Sequence, residues 1–591
     1  MTGARDLGTF TYCLYDGRMA ESGPDETLSK ARQALASTPD SPEILVLLGN
    51  LLMVRGELAE AADCYRRALV LQPDRAEVHS NLGSALRSQG DLSAALACYR
   101  RALAMRPDAA EIHNNMGNAL QQMGDLDAAI GCYQMAISLR PDFAEARNNL
   151  GKVYDDQGQL EQAIECYREA VRHQPQSARI HSNLLYALHF HPGSTPKSLY
   201  EEHRRWNELH ANPLAGIWRP HANERSPERA LRIGYLSPDF REHPVGRFLL
   251  PLLASHDPAR YPIFCYASQV HDDAFTQRLR VHAEGWRNVF GLDDDQLAEQ
   301  IRADGIDILV DLTMHMAGNR LLVFARKPAP VQVAYLAYCS TTGLDAMDYR
   351  LTSRDLDPPD FNDAWYRERS VRLPETYWCY EPGLATPAVG DLPALRRGAI
   401  TFGCLNNFCK VTETTLETWS RLMGIVDGSR LLLHCPVGSA RERVRRYFVM
   451  GGITSERLVF VDFAPLAQYF ERYREIDIAL DPFPYGGGTT TCDALWMGVP
   501  VVSLAGSTEV SRSGIELLSK VGLAELAVAT TEQYVQTAAD LALNLARLKE
   551  LRMSLRQRMA KSPLMDGPGF ARDVEAAYRE MWRRWCGKVD A

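Results

Sequence analysis

The sequence has no apolar run approaching the roughly 18 residues that a membrane-crossing helix needs, so no membrane partner is expected. Its opening stretch, MTGARDLGTFTYCLYDGRMAESG, lacks the continuous apolar segment of a signal peptide. No basic block occurs: 65 Lys and Arg are spread among 74 Asp and Glu, a net charge of −9, and nucleic acid is not an expected partner. The 13 cysteines include no CxxC pair, and Cys404 and Cys409 have no histidine nearby. No metal site is expected, and reduced thiols in a cytoplasmic protein are the economical reading. A G-x-x-x-x-G-K-[ST] loop is absent, which argues against a P-loop enzyme. The G-x-G-x-x-G fingerprint is missing after either candidate first strand, which argues against NAD or FAD.

What remains is an ordinary soluble composition, 46% apolar and 24% charged, over 591 residues. At about 150 residues per unit this length implies three or four folding units.

The first third is periodic. Pro39, Pro73, Pro107, Pro141 and Pro175 recur every 34 residues, as do Gly49, Gly83, Gly117 and Gly151. Gly56, Gly90, Gly124 and Gly158, and Tyr65, Tyr99, Tyr133 and Tyr167, keep the same step. This is the tetratricopeptide pattern, a helix–turn–helix unit that buries its apolar face only by stacking. Four full repeats are expected within an array spanning residues 25–177, after an N-terminal extension at 1–24. Asn81, Asn115, Asn149 and Asn183 form a further column on the first helix of each unit. Their amides would clamp an extended peptide backbone, or else satisfy a neighbouring helix end. A helical linker, residues 178–229, ends in the polar stretch PHANERSPERA.

Short apolar runs then alternate with helical stretches twice over. Runs at 231–236, 263–267, 306–312 and 331–336 form one set. Runs at 400–405, 431–435, 458–461, 476–480 and 499–504 form another. Alternation of this kind predicts two parallel, doubly wound α/β lobes, residues 230–395 and 396–565, followed by a C-terminal helix at 566–591. Ligands of such sheets bind beyond the carboxyl ends of the strands. Polar groups sit there in both lobes: Asp239 and His243, His315 and Arg320, Asn406, Asn407 and Lys410, then Ala464 and Tyr469. The most informative stretch is DPFPYGGGTTTCDALWMGVP, residues 481–500. Gly486, Gly487 and Gly488 would let backbone approach a ligand, and Thr489 and Thr490 open a helix whose N-terminus attracts anions. Asp493, one turn in, would accept hydrogen bonds from ribose hydroxyls. The plainer alternative is an ordinary strand–loop–helix connection with a threonine cap.

Tetratricopeptide repeats followed by GYLSPDFREHPVG, DILVDLTMHMAGNR, PAPVQVAYLAYCSTTGLDAMDY, FGCLNNFCK and IALDPFPYGGGTTTCDALWMGVP resemble the O-linked N-acetylglucosamine transferase family, which includes the related plant protein O-fucosyltransferase. The resemblance implies a GT-B fold, with two Rossmann-like lobes and no cofactor or catalytic metal. It implies a sugar-nucleotide donor, UDP-GlcNAc, inversion at the anomeric carbon, and Ser or Thr acceptors presented by the repeats; a homo-oligomer is compatible with it. By the same resemblance His243 and Asp239 belong to the base or its proton path, and Lys410 neutralises the diphosphate. Asn407, Ala464, Tyr469, Gly487, Gly488, Thr489, Thr490, Asp493 and Arg320 surround the donor. The sequence departs from the family at several points. Tyr469 stands where the animal enzyme stacks a histidine on the base, Leu466 replaces a lysine, Gly488 replaces a histidine, and Tyr338 opens YCSTTG where YPGTTG is usual. Two alternatives stay open: an O-fucosyltransferase using GDP-fucose, and a repeat scaffold with degenerate transferase lobes.

Overall fold

The computed structural model describes residues 24–383 and 386–587. But for Pro24, the expected N-terminal extension lies outside the described residues. The chain forms two compact units, one running to Val153 and the other beginning at Tyr154.

The first unit is a stack of antiparallel helix pairs, among them Pro42–Val54 with Leu58–Leu71, Ala76–Ser88 with Leu92–Met105, and Ala110–Met123 with Leu126–Leu139. The 34-residue columns have a direct steric cause. A Cβ on Gly83 would lie 2.8 Å from the Tyr99 ring, and one on Gly117 would lie 2.6 Å from the Tyr133 ring. Each glycine is thus the floor on which the tyrosine of the second helix lies flat. The tyrosine hydroxyls are satisfied on the first helix: Tyr65 donates to Asn50 at 2.6 Å and Tyr133 to Asn118 at 2.7 Å. The second glycine column turns the chain with a left-handed backbone, φ +87° at Gly90. The repeat prolines expose carbonyls that the next unit caps: His79 and His113 donate from Nε2 to the Pro73 and Pro107 oxygens, both at 2.9 Å.

The second unit opens with helices Leu160–His173, Ala178–Leu188 and Pro196–Trp206 and continues into two parallel sheets. The first holds β1 (Ile233–Ser237), β2 (Ile263–Ala267), β3 (Gly285–Asn288), β4 (Ile308–Asp311), β5 (Val331–Ala334), β6 (Tyr349–Ser353) and β7 (Arg369–Leu373), in the order β3-β2-β1-β4-β5-β6-β7. The second holds β8 (Thr401–Cys404), β9 (Arg430–His434), β10 (Leu458–Val461), β11 (Ile478–Leu480), β12 (Val501–Leu504) and β13 (Ala527–Val528), in the order β10-β9-β8-β11-β12-β13. All nine apolar runs expected as strands contain one. Four strands escaped the pattern, β3, β6, β7 and β13. β3 (GWRN) has one large apolar residue, β13 is two residues long, and β6 (YRLTS) and β7 (RSVRL) interrupt their apolar positions with Arg and Ser.

The C-terminal helix, Gly567–Gly587, folds back on the first sheet rather than the second. Arg579 donates to the Pro227 and Arg229 carbonyls at 2.7 and 2.8 Å, Trp582 Nε1 donates to Ser226 at 3.0 Å, and Tyr578 meets the Tyr235 hydroxyl at 3.2 Å. The last element of the chain therefore braces the strand that leads to His243. Among the described residues no helix is long and apolar enough to cross a membrane.

The glycine columns make an opposed pair of predictions. Gly83→Ala forces a Cβ against a fully buried ring and should destabilise the protein by about 1–3 kcal/mol. Gly131→Ala, in a helix interior with nothing within 4 Å of the new Cβ, should stabilise it by up to about 1 kcal/mol through helix propensity. Denaturant midpoints for the two variants check this; equal shifts in one direction would contradict the packing account.

Candidate active site

Both sheets change winding direction between two central strands, β1 and β4 in one and β8 and β11 in the other. The loops leaving those strands diverge at the carboxyl edge and open a crevice there. A cavity of about 800 Å³ occupies this position between the two sheets, lined from the first by His243, Arg247, Met316, Tyr338 and Trp378. The second sheet contributes Asn406, Asn407, Lys410, His434, Phe463, Ala464, Tyr469, Gly486, Gly488, Thr489, Thr490 and Asp493.

Lys410 ends the 3-10 turn Phe408–Lys410 that follows β8. Its ammonium donates to the Gly486 carbonyl at 3.0 Å and stands 4.0 Å from the centre of the Tyr485 ring. Burial lowers its pKa, as expected for a cation held out of water with no carboxylate in contact. The helix Thr489–Trp496 begins beside it. Its first N–H groups have no intrahelical partners and open on the cavity where Thr489 and Thr490 line it. Thr490 Oγ1 donates to Asn406 Oδ1 at 2.8 Å, which ties the loop after β8 to this helix. One corner of the cavity thus gathers an ammonium, a helix N-terminus and hydroxyls, a set suited to a diphosphate.

The glycines divide the work. A Cβ on Gly487 would fall 2.5–2.7 Å from Thr491, Thr490 and Asp481 oxygens, so this residue packs inward and does not line the cavity as expected. Gly486 and Gly488 do line it. Beneath them Asp481 accepts from Thr491 Oγ1 at 3.1 Å, and burial pushes its pKa up to about 6.

On the opposite wall, His243 is the N-cap of the helix Pro244–Ser255 and its Nδ1 accepts from Val245 N at 3.3 Å. The Asp239 carboxylate is 3.6 Å from the same nitrogen. Burial lowers the His243 pKa, and the Asp239 charge acts against that shift. Asp239 is itself buried behind the wall, paired with Arg241 at 3.1 Å, and reaches the cavity only through His243.

Besides Gly487, the structure places one expected donor contact away from the cavity. Arg320 does not line the cavity; it bonds Asp294 at 2.8 Å and the Leu292 carbonyl at 2.9 Å. A position soon after a strand end does not fix the direction of a long side chain, and the acidic turn nearby captured it. Asp493 lines the cavity as expected, and its carboxylate also accepts from Arg247 at 2.6 Å, Tyr380 at 2.5 Å and Tyr469 at 3.0 Å. Tyr469 is half-buried and lines the cavity as expected, with its ring edge-on to Phe470 and Tyr473 and its hydroxyl donating to Asp493. His315, also at a strand end, is fully buried between Ser182 at 3.1 Å and the Thr342 carbonyl at 2.9 Å. Sequence reasoning missed Arg247, one turn beyond His243, as well as His434 and the 87% exposed Phe463. Only spacing from the HP motif would have singled out Arg247.

In the repeat unit, Asn81 Nδ2 donates to Asn50 Oδ1 at 3.2 Å and Asn149 Nδ2 donates to Asn118 Oδ1 at 3.1 Å, so these amides also bond between repeats. Asn115 holds the same position on its own helix, and Asn183 lies half-buried on Ala178–Leu188 in the second unit. Among the described residues no cluster of three or more His, Cys, Asp or Glu is arranged to hold a metal ion.

Residues 179–382 and 389–574 match the model of glycosyl transferase family 41. Residues 49–86, 83–124 and 108–176 match tetratricopeptide models. The chain is 41% identical over 417 residues to the probable UDP-N-acetylglucosamine–peptide N-acetylglucosaminyltransferase SPINDLY of Solanum lycopersicum, covering 68% of this chain and 44% of the relative. It is 30% identical over 368 residues to the protein SEC of Arabidopsis thaliana, covering 61% and 38%. The chain thus spans less than half the length of these plant relatives. A solved mutant of the Thermobaculum terrenum O-GlcNAc transferase superposes with a TM-score of 0.80 at 36% identity, over 86% of this chain and 98% of that one. Two parallel lobes with a shared crevice, preceded by tetratricopeptide helices and matched by this family over most of both lobes, place the chain in glycosyl transferase family 41.

Proposed function

We propose that the chain is an inverting, metal-independent protein O-glycosyltransferase that moves GlcNAc from UDP-GlcNAc to Ser and Thr hydroxyls of protein acceptors. The observation that carries this reading is the meeting, in one cavity, of the Lys410 ammonium and the Thr489–Thr490 helix end on one wall with His243 on the other. The activities for which the relatives are named support the choice of sugar, nucleotide and peptide acceptor.

The bond from the anomeric carbon to the β-phosphate oxygen breaks as the acceptor oxygen forms the new bond from the opposite face. Negative charge develops on the departing diphosphate. Lys410, the threonine hydroxyls and the helix N–H groups are preorganised to meet it, and removal of one such group typically costs on the order of 100-fold or more in rate. The acceptor proton passes to His243 Nε2. That requires the tautomer with its proton on Nδ1, directed at Asp239 rather than accepting from Val245. Protein acceptors bind the repeats through their backbone amides, at Asn81, Asn115 and Asn149 in the first unit, and at Asn183 in the second. The absence of a membrane-crossing helix among the described residues and the free cysteines are compatible with a cytoplasmic location.

Mass spectrometry of protein acceptors incubated with UDP-GlcNAc or GDP-fucose tests the reading. N-acetylhexosamine on Ser or Thr from the first donor alone is expected, and Lys410→Met should lower the rate about 100-fold or more with the melting temperature held. Fucose as the product, or an unimpaired Lys410→Met enzyme, contradicts it.

The pH profile supplies a second test. Burial holds the His243 pKa below its ordinary 6.5, and a base must be neutral to act. The rate should therefore stay level as pH falls through 6.5 and decline only below it. Asp239→Asn removes the charge that raises the pKa, so the acid limb should move to still lower pH while the maximal rate drops. An acid limb at or above 6.5, or an upward move in the variant, contradicts the assignment.

A further inference from the structure

The two helix ends that face each other across the cavity are tied together one turn behind their tips. Arg247 follows His243 by four residues, and Asp493 follows Thr490 by three, so each belongs to the same helix face as the residue presented at the tip. Both are buried, at 4% and 2% exposure. Arg247 Nη2 donates to Asp493 Oδ1 at 2.6 Å and to the Tyr380 hydroxyl at 2.8 Å, and Nη1 donates to Oδ2 at 3.4 Å. Nε donates to the Glu381 carbonyl at 3.0 Å, which fixes the plane of the guanidinium. Tyr380 and Tyr469 donate to the two carboxylate oxygens at 2.5 and 3.0 Å. A carboxylate has room for about four hydrogen bonds, and these fill it.

A buried ion pair is weak evidence for stability, because desolvation offsets much of the attraction. What a bidentate Arg–carboxylate pair supplies is fixed geometry. Here it joins the helix Pro244–Ser255, which carries His243, to the helix Thr489–Trp496, which carries the phosphate-type hydroxyls. No other salt bridge among the described residues links these two helices.

We propose that Arg247 is a positioning residue for glycosyl transfer, setting through Asp493 the distance between His243 and the Thr489–Thr490 helix end. The proposal rests on the transferase reading of the cavity. It separates alignment from binding. Lys410, Thr489 and Thr490 do not depend on Arg247 for their contacts, whereas the span between the two walls does. Loss of the pair also leaves Asp493 free to accept from a ribose, so nucleotide affinity is not expected to fall.

Full-length wild type, Arg247→Met and Arg247→Lys test it by three readouts. Backbone hydrogen exchange without ligand should quicken in peptides covering both residues 243–250 and 488–496 of Arg247→Met, with other peptides of the second unit unchanged. The kcat for transfer should fall about 100-fold, the effect expected of a misplacement near 1 Å. The Kd for UDP by calorimetry should stay level or tighten, and Arg247→Lys, which keeps the charge without the fork, should fall between. Unchanged exchange at either helix end overturns the brace. So does an undiminished kcat, or a general rise in exchange with loss of UDP binding. A wild type that binds UDP but transfers no sugar counts against the transferase reading instead, and the exchange comparison still decides whether Arg247 couples the two ends.

Discussion

A strand in a parallel sheet delivers every following loop to the same edge, and each helix that returns the chain starts there with unpaired N–H groups. Two such sheets in the second unit therefore have one functional edge each, at the crossovers β1/β4 and β8/β11. His243 caps one helix leaving those edges, and Thr489 is the first residue of another. The chemistry of the cavity follows from this directionality: an anion-seeking helix end on one wall, an imidazole cap on the other.

Burial then sets the character of the polar groups that gather there. Lys410 loses water without gaining a carboxylate contact, which leaves its charge available to an incoming anion. Asp493 shows the opposite outcome. Its charge is met by Arg247, Tyr380 and Tyr469, so this residue of the cavity wall is also a junction between the lobes.

Much of this was legible in the sequence because it is periodic or steric. The 34-residue glycine and tyrosine columns are two halves of one contact, as at Gly83 and Tyr99, and a contact that permits no Cβ leaves a mark in the chain. Buried parallel strands such as ILVD at β4 read as apolar runs. The strands that escaped have almost no apolar run, as at β3, are two residues long, as at β13, or are interrupted by arginine and serine, as at β6 and β7. The site was harder, because chain position fixes where a Cα sits and not where a flexible side chain points. Arg320 turns to Asp294, while Arg247 reaches from the first lobe to Asp493 in the second, 246 residues away. Neither direction is set by local sequence.

The central claim is that a pyrophosphate is held between the lobes by Lys410 and the Thr489–Thr490 helix end. A crystal structure with bound UDP tests it most directly. The account predicts diphosphate oxygens within hydrogen-bond distance of Lys410 Nζ and of a Thr489 or Thr490 hydroxyl, with His243 on the open side. UDP bound elsewhere, or in this cavity with its phosphates turned away from Lys410, would contradict it.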